Sequence, residues 1–217
     1  MLRAELGDLE KEILEIALKT GAKKRPIDID DLYKASVSQL AYSKEDITRS
    51  IMILLQKRYL IEGHELTKAN LLNHEKRKQI YEYVKKNPGA NNREIRRTFN
   101  LGSYDTFRNL EYLEMFGFIR SKEFMNKKAY FLFDSDESED ERILVLRNNR
   151  TKLIFEQISN QEKIRLFEIE RNLNLSHGQI QPHIKKLIDY KLVELVVENK
   201  IKYYTIKNSQ LNQNIKF

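Results

Sequence analysis

The chain has 217 residues, of which 41% are apolar and 33% charged, and its formal net charge is +7. It contains no cysteine, which excludes disulfides and thiolate ligands for a metal ion. No apolar run approaches the roughly 20 residues that span a bilayer, and the N-terminus carries charges throughout, unlike a signal peptide. We therefore expect a cytoplasmic protein without membrane contact, whose basic character favours nucleic acid as a partner.

Residues 1–72 predict a winged-helix-like domain of three helices with a short wing. The first helix covers residues 2–19 and is apolar along one face. The third begins at the N-cap Ser43 and ends near Lys57. Because Ile51–Leu55 is apolar on every side, we expect this helix to be covered on more than one face. We assign this domain to packing. It would pack against the next domain, against a second copy in a homodimer, or against another protein.

Residues 73–134 follow the order of a winged helix-turn-helix domain. Gly117 can take the left-handed conformation that ends a helix. Two apolar strands then flank Met125-Asn126-Lys127-Lys128, which has the length and polarity of a hairpin turn. The predicted elements are the helices Glu75–Lys86, Asn92–Phe99 and the helix from Ser103, then the strands Phe118–Phe124 and Ala129–Phe133.

This domain supplies most of the candidate DNA contacts. The second helix of a helix-turn-helix crosses the phosphate backbone, so arginines there suit phosphate contact. On the third helix, the guanidinium of Arg108 could bind guanine through two hydrogen bonds. Lysines at the tip of the wing would reach a flanking phosphate. The candidates are Arg93, Arg96 and Arg97 on the second helix, Ser103, Tyr104 and Arg108 on the third, and Lys127 and Lys128 in the wing.

An acidic linker over residues 135–146 follows this domain. Within it and just before it, Asp134–Glu141 holds six acidic residues. Such a run predicts a solvated, self-repelling spacer. An alternative is that the run masks a basic surface when nucleic acid is absent.

Residues 147–208 predict a further winged-helix domain, before a polar tail over 209–217. Pro182 lies about six residues into the third helix, where it removes a backbone hydrogen bond and should kink the helix or delay its start. The predicted elements are helices over 150–159, 166–173 and from Ser176, and strands over 192–197 and 201–206. Amide and basic side chains on the third helix and in the wing are the candidate DNA contacts: Gln179, Gln181, Lys185, Lys186 and Lys200.

A short pattern recurs where each third helix turns into a strand. Leu113–Ile119 lines up with Leu55–Ile61 and with Leu187–Val193. The irregular spacing argues for separate units of similar fold and against a solenoid. The predicted fold class is therefore mainly α with small β-hairpin wings (α+β), as three tandem winged-helix domains.

The chain lacks the usual signatures of catalysis and of cofactor binding. Its four histidines have no metal-ligand spacing, and no phosphate-cradling glycine loop, Ser/His/Asp arrangement or pair of carboxylates stands out. We expect no enzymatic activity, no metal and no cofactor.

Two stretches resemble a known family. His74-Glu-Lys-Arg-Lys-Gln-Ile-Tyr-Glu-Tyr-Val-Lys-Lys-Asn-Pro-Gly89, with Arg93-Glu94-Ile95, is similar to the opening of archaeal and bacterial winged-helix regulators of the ArsR/MarR-like type. Leu175-Ser176 through His183-Ile-Lys-Lys-Leu187 is similar to their recognition helix. The resemblance covers residues 74–206. It departs at Phe107, where a polar residue is common, and at Pro182.

The resemblance implies a transcriptional regulator that binds double-stranded DNA through its second and third domains. The same fold also serves protein assembly. The alternative hypothesis is therefore a non-catalytic assembly module, similar to the tandem winged helices of ESCRT-II subunits, of SMC partners or of RNA polymerase accessory subunits. If the basic residues of the second domain share one exposed face, the DNA-binding hypothesis gains; if they are scattered, the assembly hypothesis gains.

Overall fold

The structure, a computed structural model, describes residues 6–21 and 26–206. It is mainly helical with small antiparallel sheets, which agrees with an α+β winged-helix fold. The chain forms two compact units, Met1–Ser135 and Asp136–Phe217. The predicted start of the first helix at residue 2 and the predicted tail at 209–217 lie outside the described residues.

The first unit begins with three helices around one apolar core: α1 (Asp8–Gly21), α2 (Ile29–Gln39) and α3 (Lys44–Gln56). Ser43 caps α3 as predicted, because its side chain accepts a hydrogen bond from the Asp46 amide. Where we predicted a short wing, Ile27 exchanges two backbone hydrogen bonds of 2.9 Å with Gly63 and His64. The cover of α3 is incomplete: Ile53 and Leu55 are half-buried, whereas Met52 is 63% exposed.

The rest of the first unit has the predicted order of three helices and a hairpin. It contains a 3-10 helix (Leu71–Asn73), α4 (Glu75–Lys86), β1 (Ala90–Asn91), α5 (Asn92–Thr98), α6 (Ser103–Met115), β2 (Ile119–Phe124) and β3 (Lys127–Leu132), and its antiparallel sheet has the order β1-β3-β2. The hairpin turn is shorter than predicted. Only Met125 and Asn126 form it, both with positive φ, as a two-residue turn requires. Lys127 and Lys128 therefore belong to β3 rather than to the turn.

Residues 58–73 pack against the α4–β3 region. Ile61 and Leu66 lie against its core, and a guanidinium N–H of Arg58 donates to the Glu114 carbonyl at 3.0 Å. The same guanidinium lies over the Phe133 ring, 5.1 Å from its centroid. The His64 ring meets the Phe116 ring edge-on at 6.3 Å. The first three helices are thus tied to the α4–β3 region by packing as well as by the chain.

The second unit contains a 3-10 helix (Glu137–Glu139), α7 (Asp140–Leu146), α8 (Asn149–Ser159), α9 (Leu166–Leu173), α10 (His177–Asp189), β4 (Val193–Glu198) and β5 (Ile201–Ile206). The acidic run is helical, although Asp134, Asp136, Glu137 and Glu141 are exposed to solvent. Its residues form the 3-10 helix and the start of α7, where acidic side chains favour the helix N-terminus. Val145 and Leu146 at the end of α7 are buried, which gives the segment an apolar anchor.

Pro182 does not delay the start of α10. The helix begins at His177, with a capping box between Ser176 and Gln179. The backbone N–H that proline lacks would have paired with the carbonyl of Gly178, and Gly178 is exposed, so water can satisfy that carbonyl. The helix therefore runs through the proline.

The three helices α3, α6 and α10 end in the same backbone motif. The amides of Tyr59, Phe118 and Leu192 donate to the carbonyls of Leu54, Leu113 and Leu187 at 2.8, 2.9 and 2.8 Å. The preceding residues Arg58, Gly117 and Lys191 all have positive φ, which completes a Schellman motif. Leu113 is thus equivalent to Leu54, and the predicted alignment with Leu55 is wrong by one residue. Side-chain pattern could not separate the two leucines, because Ile51–Leu55 is apolar throughout.

Candidate nucleic-acid interface

A basic groove lies between α5 and the hairpin β2–β3. It holds about 600 Å³ and is lined by Asn91, Asn92, Arg93, Glu94, Arg97, Thr98, Lys127 and Lys128. Asn91 caps α5 by accepting the Glu94 amide at 3.0 Å. Ile95 is fully buried and fixes the rotation of the short helix. Arg93 and Arg97, two residues to either side, consequently face outward together.

The floor of this groove is braced by contacts between the hairpin and α6. Lys128 Nζ lies 2.9 Å from Glu114 Oε2 and 5.5 Å from the centroid of the Tyr130 ring, which is two residues along the same strand face. Burial, with a smaller contribution from Glu114, raises the pKa of Tyr130 to about 12. The phenol is therefore neutral at physiological pH, and the positive charge of the groove comes from Arg93, Arg97 and the two lysines.

Two of the predicted arginines lie outside the groove. Arg96 donates to Ser103 Oγ at 2.8 Å and so joins α5 to the start of α6. Arg108 stands 5.7 Å from the Tyr112 ring centroid, and a hydrogen bond to Tyr112 raises the pKa of Arg108. Six basic residues were to decide between the hypotheses by sharing one exposed face. Four of them line one groove, while Arg96 lies at the start of α6 and Arg108 on that helix.

The outer face of α6 is exposed and partly aromatic. Thr106, Leu110 and Leu113 are buried, so the opposite side of the helix faces away from the core. The side chain of Tyr104 is 72% exposed and that of Phe107 is 56% exposed. Sequence reasoning treated Phe107 as a departure and did not include it among the contacts. It also missed Asn91 and Asn92, although an Asn before a short helix is a familiar capping signal.

The predicted contacts of the second unit are dispersed. The side-chain oxygen of Gln179 accepts from the Ser176 amide at 3.0 Å, which holds it at the start of α10. Gln181 and Lys186 are half-buried, and Lys185 is exposed. Lys200 lies in the β4–β5 turn, where it and Asn199 have positive φ. The structure does not bring these five residues into one groove.

A second groove, of about 700 Å³, lies where α8 begins. It is lined by Arg147, Asn148, Asn149, Arg150, Leu153, Leu173, Leu175 and His183. The Thr151 hydroxyl is 2.8 Å from Nδ1 of His183. Burial lowers the pKa of His183, and the charges of Arg150 and Lys186 lower it further. None of the residues that line this second groove is among the predicted DNA contacts.

The other searches for a site concern only the described residues. Within 6–21 and 26–206, no group of three or more His, Asp or Glu side chains is placed to hold a metal ion. In the same ranges, no helix is both long and apolar enough to cross a membrane.

No family model matches this chain. It is 28% identical over 194 residues to an uncharacterized HTH-type transcriptional regulator of Methanocaldococcus jannaschii. That match covers 86% of this chain but only 49% of the relative, so the chain spans about half the length of the protein it resembles. The chain is also similar to a crystal structure of MarR, with 16% sequence identity and a TM-score of 0.29. That match covers 67% of this chain and 94% of the MarR chain. That structural likeness is too slight to bear on function.

Proposed function

We propose that this chain is a cytoplasmic DNA-binding transcriptional regulator that uses tandem winged helices and has no enzymatic activity. The observation that carries the proposal is the basic groove between α5 and the β2–β3 hairpin. Arg93, Arg97, Lys127 and Lys128 line this groove, and Lys128 contacts Glu114 of α6. The Methanocaldococcus relative is described as an HTH-type transcriptional regulator, which supports the same function.

The groove fits the phosphate backbone of a duplex. A helix that crosses the backbone and a basic hairpin beside the recognition helix are the positions from which winged helices make phosphate contacts. In this arrangement Arg93, Arg97, Lys127 and Lys128 bind phosphates. Arg96 and Ser103 fix the start of α6, while Tyr104 and Arg108 face the major groove.

The second unit supplies weaker contacts. We assign these to Gln181 and Lys185 on α10, to Lys200 at the hairpin turn, and to Gln179 and Lys186 at the flanks of the helix. Since these side chains are dispersed, we expect them to add affinity rather than sequence preference.

The proposed domains are 1–72, 73–134 and 147–208, with the segment 135–146 joining the last two. The recurrence of the Schellman motif at α3, α6 and α10 supports this division. The first domain packs on the second through residues 58–73. The exposed side of α3 around Met52 is the surface through which that domain would take a second copy or another protein.

The proposal is tested by binding of the full chain to a labelled random duplex, followed by fluorescence anisotropy from about 50 to 300 mM salt. Each phosphate contact contributes about 0.9 to the slope of log affinity against log salt. Arg93→Glu/Arg97→Glu should therefore weaken binding at least tenfold and make the slope shallower by about two.

The matched control is Lys78→Glu/Lys85→Glu, which changes the charge equally. Both lysines are exposed on α4, on the side of the helix turned away from its buried residues Ile80 and Val84. This variant should keep the wild-type slope. If the wild type does not bind at about 50 mM salt, or if both variants lose affinity equally, the proposed groove is wrong.

A further inference from the structure

The exposed face of α6 carries two aromatic rings beside the basic groove. Tyr104 and Phe107 are three residues apart and therefore neighbours on one side of the helix. They are 72% and 56% exposed, whereas Tyr112 on the same helix is half-buried against Arg77. An isolated exposed aromatic residue needs no explanation. Two adjacent rings on the helix that faces the duplex in the proposed function do need one.

Three polar side chains of α6 already have a partner within the protein. Arg108 is held by Tyr112. Asn109 donates its amide N–H to the Asp105 carbonyl at 2.7 Å, and Ser103 accepts from Arg96. Few side chains of this helix are therefore left to form the bidentate hydrogen bonds that distinguish guanine and adenine in the major groove. Asp105 and Glu111 are also exposed, but a carboxylate only accepts hydrogen bonds, so Tyr104 and Phe107 are the exposed groups of α6 that suit an apolar contact.

Only one base presents an apolar group in the major groove: thymine, through its 5-methyl group. We propose that Phe107, assisted by Tyr104, contacts thymine 5-methyl groups, so that α6 prefers thymine-rich sites. The inference rests on the proposed function. The neighbouring cations of the groove supply the charge complementarity that would hold a duplex against these rings.

The test compares two duplexes that differ only in the methyl group: alternating poly(dA-dT) and the same polymer with deoxyuridine in place of thymidine. Burial of one methyl corresponds to about fourfold in affinity. We expect the full wild-type chain to bind the thymidine duplex about four- to tenfold more tightly than the deoxyuridine duplex. Phe107→Gln should bring the ratio close to one, because the exposed ring is then lost without disturbing the core.

Two control variants separate this effect from general binding. Arg93→Glu/Arg97→Glu should weaken binding to both duplexes and leave their ratio unchanged. Phe167→Gln removes a ring that is 49% exposed on α9 and should also preserve the ratio.

The outcomes distinguish the inference from the function beneath it. Equal wild-type affinity for the two duplexes would overturn the methyl contact while leaving DNA binding intact. A ratio that survives in Phe107→Gln would overturn the role of Phe107. Failure to bind either duplex at low salt would overturn the proposed function, and the methyl contact with it.

Discussion

The α4–β3 and α8–β5 regions share a skeleton. Each has three helices and a hairpin, and in each the third helix ends in a Schellman motif, at Gly117 and at Lys191. The residue two positions before the second helix pairs with the hairpin in both: Ala90 lies opposite Tyr130, and Ile164 bridges Tyr204. The positions that the two regions share are those that the fold needs: buried side chains, helix ends and strand pairing.

The same two regions differ on their surfaces. When the two sequences are aligned at Leu113 and Leu187, Arg93 and Arg96 of α5 correspond to Phe167 and Glu170 of α9. On the third helix, the exposed Tyr104 and Arg108 of α6 correspond to Gly178 and Pro182 of α10. The same fold therefore presents a basic and aromatic face in the first region. In the second region, the equivalent positions carry few basic side chains. Function has to be argued from these faces and not from the fold.

The largest expected effect tests the shared core. Leu113→Ala and Leu187→Ala each remove a fully buried side chain at the equivalent position. Each should lower the free energy of unfolding by about 2–5 kcal/mol, because the methyl groups lose their burial and a cavity remains. Denaturant unfolding followed by circular dichroism measures both. If one variant is near neutral, the two positions are not equivalent.

The sequence predicts the shared skeleton because the skeleton is recorded in local chemistry. Ser43 and Ser176 are N-caps in both the prediction and the structure. The glycine at 117 correctly marks the end of α6. Thr106, Leu110 and Leu113 recur at helical spacing in the sequence, and they form the buried side of that helix. These signals each depend on only a few neighbouring residues.

The sequence did not reveal features that depend on distant residues or on backbone torsions. Arg58 and Lys191 adopt positive φ without being glycine, so the first repeat was aligned one residue late. Most of the acidic run is exposed, but its helical order was not predicted, and the buried Val145 and Leu146 that follow it anchor that helix. Arg96 does not join Arg93 and Arg97 in the groove, because it donates to Ser103 of the next helix.

The second prediction concerns the surfaces. Lys185→Glu/Lys200→Glu reverses two charges on α10 and the β4–β5 turn, as Arg93→Glu/Arg97→Glu does on α5. Because the lysines lie outside any common groove, we expect a loss of about threefold in affinity for a random duplex, against at least tenfold for the arginine pair. Anisotropy at one fixed salt concentration gives both values. A larger loss from the lysine pair would reverse the assignment of the stronger site.

The third prediction concerns the positive-φ residue that ends the third helix, which is glycine in the first region and lysine in the second. Gly117→Ala should lower the free energy of unfolding by about 1 kcal/mol, because an L-residue at a φ of +65° is strained and its Cβ would lie 3.3 Å from Arg58 Cδ. Lys191→Gly should raise it by about 0.5–1 kcal/mol, since Lys191 has a φ of 57° and is exposed. Thermal unfolding of both variants checks the opposite signs. Stabilisation by Gly117→Ala would contradict the motif.

The smallest effect should come from His183, which stands where α6 has Asn109. Its pKa is lowered in the folded chain, first by burial and then by Arg150 of α8 and Lys186 of its own helix, while Thr151 holds Nδ1. The unfolded state therefore binds a proton more readily than the folded state. Stability from this group is present above the unfolded pKa of about 6.5 and is lost as the pH falls through the lowered folded pKa.

His183→Gln should make the fall in unfolding free energy between about pH 7 and pH 5 shallower than in the wild type. Asn109→Gln, which introduces no titrating group at the equivalent position, should leave the wild-type slope unchanged. An identical slope in His183→Gln would contradict the prediction, because it would mean that the pKa of His183 is the same in the folded and the unfolded chain.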